Sequence, residues 1–196
     1  CWIICINALT FQRSGICPMT GFPLRFGFLF AASAVFWWLF EYLNRFVGNW
    51  IYSGSEYPPG TYFILATLSF STVLPAVESM KEYLLTFHRF RQAFRKMPGL
   101  PWLWSKPVAG LLIGVSGFML SFLGIFPDLL FFSLWISPFF IFWGTRVLWN
   151  RKSCFDTVRT GDYTQVMAYA AAALICGFFW EMFNMYSLAR WEYAIP

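Results

Sequence analysis

Residues 26–40 read FGFLFAASAVFWWLF, fifteen positions in a row without a charged group. Such a run cannot form the outer face of a water-soluble helix, because no side of it is polar. It approaches the roughly 20 apolar residues that cross a bilayer as helix. It is not isolated, and the composition leaves little polar material elsewhere. The 196 residues are 59% hydrophobic, 23% aromatic and only 12% charged. A soluble domain carries about a quarter charged residues. The apolar runs are continuous and do not alternate with period two, which argues against a barrel. The expected class is all-α, a polytopic helical membrane protein.

About six apolar segments can be marked. CWIICINAL at the start is too short to span alone and reads as the end of a helix begun upstream. The others run from about Phe26 to Trp50, Thr61 to Val77, Val108 to Phe126, Leu129 to Trp149 and Gln165 to Leu188. Pro75 is expected to kink the third, and Pro138 lies inside the fifth. The sequence begins at Cys1 within an apolar run, so it is expected to be a portion of a longer protein.

The formal net charge is +5, and the basic residues are unevenly placed. Arg13 and Arg25 precede the second segment, and Arg89, Arg91, Arg95, Lys96 and Lys106 follow the third. Arg151, Lys152 and Arg159 follow the fifth, while the other two linkers carry Glu56 and Asp128. This alternation predicts an integral plasma (inner) membrane protein with its basic linkers cytoplasmic. In KEYLLTFHRFRQAFRKM, apolar residues recur at spacings of four and three with basic residues between them, which predicts an amphipathic surface helix. Gly110 and Gly114 make a GxxxG, expected to pack against another helix.

Two stretches share a layout, FWWLFEYLNRFVGNWIY (36–52) and GFFWEMFNMYSLARWEY (177–193). Glu41 aligns with Glu181, and Asn44 with Asn184. Trp50 and Tyr52 align with Trp191 and Tyr193 after one inserted residue. The match predicts a weak parallel internal duplication. Residues 1–82 form the first membrane repeat, 83–106 a cytoplasmic amphipathic linker, 107–127 a linking transmembrane helix, and 128–196 a second, incomplete repeat.

Positions i and i+3 share a helix face, so each Glu presents with its Asn. At 1.5 Å per residue, Glu41 lies roughly 24 Å beyond Arg25, inside the outer leaflet. A charge facing lipid at full depth costs roughly 2–3 kcal/mol, so these carboxylates should face other helices. Arg45, four residues after Glu41, is placed to neutralise it; Glu181 has Met185 there instead. Glu41, Asn44, Arg45, Glu181 and Asn184 are therefore the candidate ligand-binding or structural polar site. Trp50, Tyr52, Trp191 and Tyr193 are candidate interfacial aromatics. Plain hydrogen-bonded ties between helices explain the same residues equally simply.

The five cysteines form no CxxC pair and the only histidine is His88, so no metal site is expected. No cofactor can be named. Partners are the lipid bilayer, other membrane subunits and a hydrophobic small molecule; nucleic acid is excluded by the absence of a soluble basic module. Three functions fit. The first is a non-catalytic subunit or scaffold of a membrane complex contacting lipid, pigment or quinone. The second is an intramembrane enzyme or binding protein for an isoprenoid or lipid, using Glu181 and Glu41. The third is a proton-coupled transporter, for which the off-centre position of the motifs is unusual.

Overall fold

The computed structural model describes residues 1–54 and 56–195; Pro196, the last position of the expected second repeat, lies outside the described residues. The chain is mostly helical. The elements are α1 (Trp2–Ser14), α2 (Pro18–Gly21), α3 (Pro23–Val47), β1 (Trp50–Ser53), α4 (Pro59–Ser71), α5 (Val73–Leu85), α6 (His88–Ala93), α7 (Lys106–Ser121), α8 (Pro127–Leu130), α9 (Ser133–Leu148), α10 (Thr164–Met185) and β2 (Arg190–Tyr193). Three helical stretches are long and apolar enough to cross a membrane: Pro23–Val47, Pro59–Leu85 and Thr164–Met185. α7 and α9 are 16 residues each, about 24 Å, shorter than a full span.

The third apolar segment runs further than hydropathy suggests. α4 and α5 form one stretch with its irregularity at Thr72, and Pro75 sits in the first turn of α5. Proline is tolerated there, because the first-turn N–H groups have no helical partner anyway. The expected amphipathic helix over 83–97 is not continuous. α5 stops at Leu85, and only the six residues of α6 follow as helix. At the break the Thr86 hydroxyl donates to the Tyr83 carbonyl at 2.7 Å and accepts from Arg13 Nε at 2.8 Å. This local bonding competes with helix continuation.

The residues cluster into two compact units that interleave along the chain. The first comprises residues 1–39, 52–93 and 166–192. Its core joins α1, α5 and α10 through Ile6, Ala76, Met80, Ala172 and Cys176. Polar side chains cross-link it: Asn7 Nδ2 donates to Ser79 Oγ at 2.7 Å, and Trp38 Nε1 to Thr67 Oγ1 at 2.9 Å. Ser33 Oγ donates to the Phe70 carbonyl and accepts from Leu74 N, holding α3 across the α4–α5 irregularity.

The second unit comprises residues 40–51, 94–165 and 193–196. α7 and α9 lie together as a hairpin, with Ala109, Trp143 and Val147 buried at one end. The close approach is made by Gly144, where an added Cβ would come within 2.8 Å of Ile113 Cγ1 and 3.0 Å of the Ala109 carbonyl. Gly110 and Gly114 play no such part, since the space beside each is open to 4 Å. The GxxxG was expected to pack; its face is instead uncovered, because the small residue that matters stands on the partner helix.

Gly144→Val should therefore lower the melting temperature in detergent markedly, with an overpacking cost of about 1–3 kcal/mol. Gly114→Ala should leave it unchanged or raise it, the gain in helix propensity being up to about 1 kcal/mol of stability. Equal effects of the two changes would refute this packing.

Candidate functional site

The last four carbonyls of a helix lack helical donors, and in an apolar setting they and the following loop need partners. α3 ends at Val47, and Gly48 turns the chain with φ of 63° while its N–H bonds to the Asn44 carbonyl at 2.7 Å. Glycine favours this left-handed conformation. The Asn44 side chain then bonds both backbone groups of one residue. Its Nδ2 donates to the Trp50 carbonyl at 2.7 Å, and its Oδ1 accepts from Trp50 N at 3.3 Å. The Trp50 indole folds back, and Nε1 donates to Glu41 Oε1 at 3.1 Å.

α10 ends in the same way. Asn184 Nδ2 donates to the Trp191 carbonyl at 2.8 Å, and Oδ1 accepts from Trp191 N at 2.9 Å. Trp191 Nε1 donates to Glu181 Oε1 at 3.3 Å. The one extra residue in this loop is accommodated by Ser187, whose hydroxyl reaches the carbonyls of Asn184 at 3.1 Å and Ala189 at 2.7 Å. β1 and β2, the segments held by the two asparagines, pair in a two-stranded sheet. Across it Ser53 Oγ donates to Glu192 Oε1 at 2.9 Å, and Ala194 N to the Asn49 carbonyl at 2.9 Å. Hydrogen bonds from Ser53 and then Arg190, with the Arg190 charge beside them, hold the Glu192 carboxyl below its usual range.

Each Glu, Asn and Trp is thus one hydrogen-bonded set. The tryptophans, expected as interfacial anchors, are the third member of each motif. Both asparagines are 9% exposed, as befits amides whose partners are inside the loop. Glu41 is half-buried and Glu181 exposed, so the two carboxylates differ in surroundings while accepting the same bond. Arg45 is exposed, and the group on Glu41 Oε1 is the Trp50 indole. Tyr52 packs edge-on to Tyr62, with centroids 6.3 Å apart, and Tyr193 is exposed.

A second polar cluster lies in the first unit, on α5 and α10. Lys81 is 6% exposed and sits between Glu78 Oε1 at 3.0 Å and Glu82 Oε1 at 2.6 Å. Tyr169 on α10 donates its hydroxyl to Glu78 Oε2 at 2.8 Å, and its ring lies 4.9 Å from Lys81 Nζ. The i, i+3 spacing of Glu78 and Lys81 is visible in sequence; Tyr169 has no local signal, being 91 residues away. Among the described residues no three His, Cys, Asp or Glu side chains gather as metal ligands would.

No protein-family model matches this sequence, and no curated protein or solved structure matches it.

Asn44→Ala and Asn184→Ala each remove both bonds to a tryptophan backbone. Each should destabilise the protein by about 1–3 kcal/mol and open the adjoining loop to protease, read by thermal melts and limited proteolysis. Unchanged melts and cleavage in both variants would show that the braces carry no stability.

Proposed function

We propose that this chain is a non-catalytic membrane subunit or scaffold of a membrane complex, in contact with lipid, pigment or quinone. The observation that carries the reading is the use made of the paired motifs. In each, one carboxylate oxygen and both asparagine functions are spent on a single tryptophan, which is the work of a brace. A group that binds or transforms a substrate needs its polar atoms directed at that substrate. The Lys81 cluster is spent in the same way, on its own neighbours.

The same reading takes six apolar segments as membrane-inserted, α7 and α9 as a short inserted hairpin, and the two braced helices as copies in a parallel duplication. Support for the duplication is the identical three-bond pattern on loops of unequal length. The protein sits in the plasma (inner) membrane with its basic linkers cytoplasmic, as the Lys/Arg distribution favours.

Contact with a hydrophobic molecule has its own support. An open groove of about 450 Å³ in the first unit is lined by Ile3, Ile4, Met19, Pro23, Phe26 and Phe30 among others, with no carboxylate in its wall. Shape and lining suit an acyl or isoprenoid chain held by packing alone. The alternative, an intramembrane enzyme using Glu181 and Glu41, draws on the exposure of Glu181 in a helix apolar enough to span.

Glutamine keeps the oxygen that accepts the indole N–H. A Glu41→Gln, Glu181→Gln double variant should accumulate, retain co-purifying subunits and support the cell as the parent does. A variant that folds and assembles but loses its cellular role overturns the scaffold reading in favour of the enzyme. Orientation is tested separately, in a cysteine-free background. Glu56→Cys should react with an impermeant maleimide from outside and Arg95→Cys only after the membrane is breached. Reaction of both from one side would overturn the topology.

A further inference from the structure

Two basic linkers far apart in sequence form one surface in the second unit. Tyr163 N donates to the Phe94 carbonyl at 2.9 Å, Met97 N to the Gly161 carbonyl at 3.0 Å, and Leu100 N to the Val158 carbonyl at 3.2 Å. The Tyr163 hydroxyl adds a bond to the Pro98 carbonyl at 3.0 Å. Two glycines permit this approach. A Cβ on Gly99 would run into the Arg159 carbonyl, and one on Gly161, whose φ is 89°, into that of Met97. The segments 94–106 and 151–163 are thus laced along their backbones and cannot act as independent loops.

Their charges are strongly one-sided. The two segments hold Arg95, Lys96, Lys106, Arg151, Lys152 and Arg159, all exposed, against Asp156 and Asp162. Both acids are turned to internal work. Asp156 accepts from Trp104 Nε1 at 2.9 Å and from Ser153 N at 3.0 Å. Asp162 Oδ1 accepts from Thr164 N at 2.9 Å. Partial burial works against ionisation of Asp162, but the bonds from Thr164 and the nearby Arg95 charge outweigh it and hold the carboxyl below its usual range. Six outward cations are left with a surplus of four positive charges.

The surface lies where the α7–α9 hairpin begins and ends, Lys106 opening α7 and Leu148 closing α9. Trp102 and Trp149 stand beside it, 59% and 73% exposed. Indoles of this kind settle at the headgroup level of a bilayer. A cationic surface bordered by such indoles fits a layer of lipid phosphates. An acidic protein would complement the charges but give the tryptophans no apolar medium.

We propose that the laced segments 94–106 and 151–163 form a headgroup platform that selects anionic phospholipids. This rests on the reading that α7 and α9 are inserted in the membrane. The phosphate oxygens of neighbouring lipids accept from the arginine and lysine side chains, while Trp102 and Trp149 fix the depth.

The chain, reconstituted in phosphatidylcholine bilayers, is probed with spin-labelled phosphatidylglycerol and spin-labelled phosphatidylcholine. The immobilised fraction should favour phosphatidylglycerol, by about fivefold for each engaged cation at low salt. The preference should fall in molar salt, where screening shortens to about 3 Å. It should also fall in a triple Arg95→Gln, Lys96→Gln, Arg159→Gln variant whose circular dichroism matches the parent. Equal immobilisation of the two lipids in the parent overturns the proposal. So does loss of the preference on adding inorganic phosphate at matched ionic strength, which would mark a site for a soluble phosphate. In the cysteine-free background, a Phe118→Cys variant, changed on the exposed face of α7, reports insertion independently. Its protection from an impermeant maleimide, together with equal lipid immobilisation, would fault the platform alone; its labelling would overturn the platform and the inserted hairpin together.

Discussion

Backbone amides and carbonyls are obligatory hydrogen-bonding groups, and a chain rich in apolar residues has few side chains with which to satisfy them. Helices meet the demand along their length but not at their ends. Much of the local structure follows from how the long helices α3 and α10 are finished. At α3 and again at α10 an asparagine in the last turn treats the returning tryptophan as a neighbouring strand would, donating to its carbonyl and accepting from its N–H. The glutamate one turn earlier takes the indole N–H, the remaining polar donor of each tryptophan. Once each tryptophan is pinned, the residues around it are committed to extended backbone, and β1 and β2 meet.

Small side chains and sparse polar bonds supplement the two small apolar clusters in the helix contacts elsewhere. Ser79, Ser133, Ser137 and Ala109 are fully buried, while many large apolar residues, among them Leu24, Phe28, Leu174 and Leu188, point outward. Leu123, Leu134 and Trp143 are buried too, but so much exposed bulk departs from the pattern of a soluble domain. It agrees with helices whose association in lipid draws on close approach and hydrogen bonds. Gly144 and the Asn7–Ser79 bond are two instances, one steric and one polar.

Hydropathy alone finds the helical class and the rough position of six apolar segments, but not that three helices are long enough to span or that the third continues to Leu85. The pairing of Glu41 with Asn44 and of Glu181 with Asn184 follows from helical spacing. What each pair holds does not, because Trp50 and Trp191 lie beyond the helix end, where spacing rules stop. Periodicity also carries a helix through residues 83–97 that the Thr86 hydroxyl interrupts. It finds a glycine pair on α7 but cannot tell that the tight contact belongs to Gly144. Tyr169 beside Glu78, and the lacing of residues 94–100 to 158–163, join positions whose relation exists only once the helices are assembled.

The α4–α5 stretch has a consequence of its own. It is 27 residues long, about 40 Å, against a hydrocarbon layer of roughly 30 Å. From Pro59 to Val77 the sequence is free of charged residues, a length of about 28 Å, and Glu78 and Lys81 come directly after. The surplus length is therefore all at one end, and it carries a charged knot tied to Tyr169 on α10. Such a helix cannot relieve a thin bilayer by sliding toward that end's opposite, since the knot would have to enter the hydrocarbon. Tilting, the other relief in a thin bilayer, would have to carry α10 along. If the two helices span a bilayer, as proposed, a mismatch in thickness would fall on the surrounding lipid before it fell on the knot.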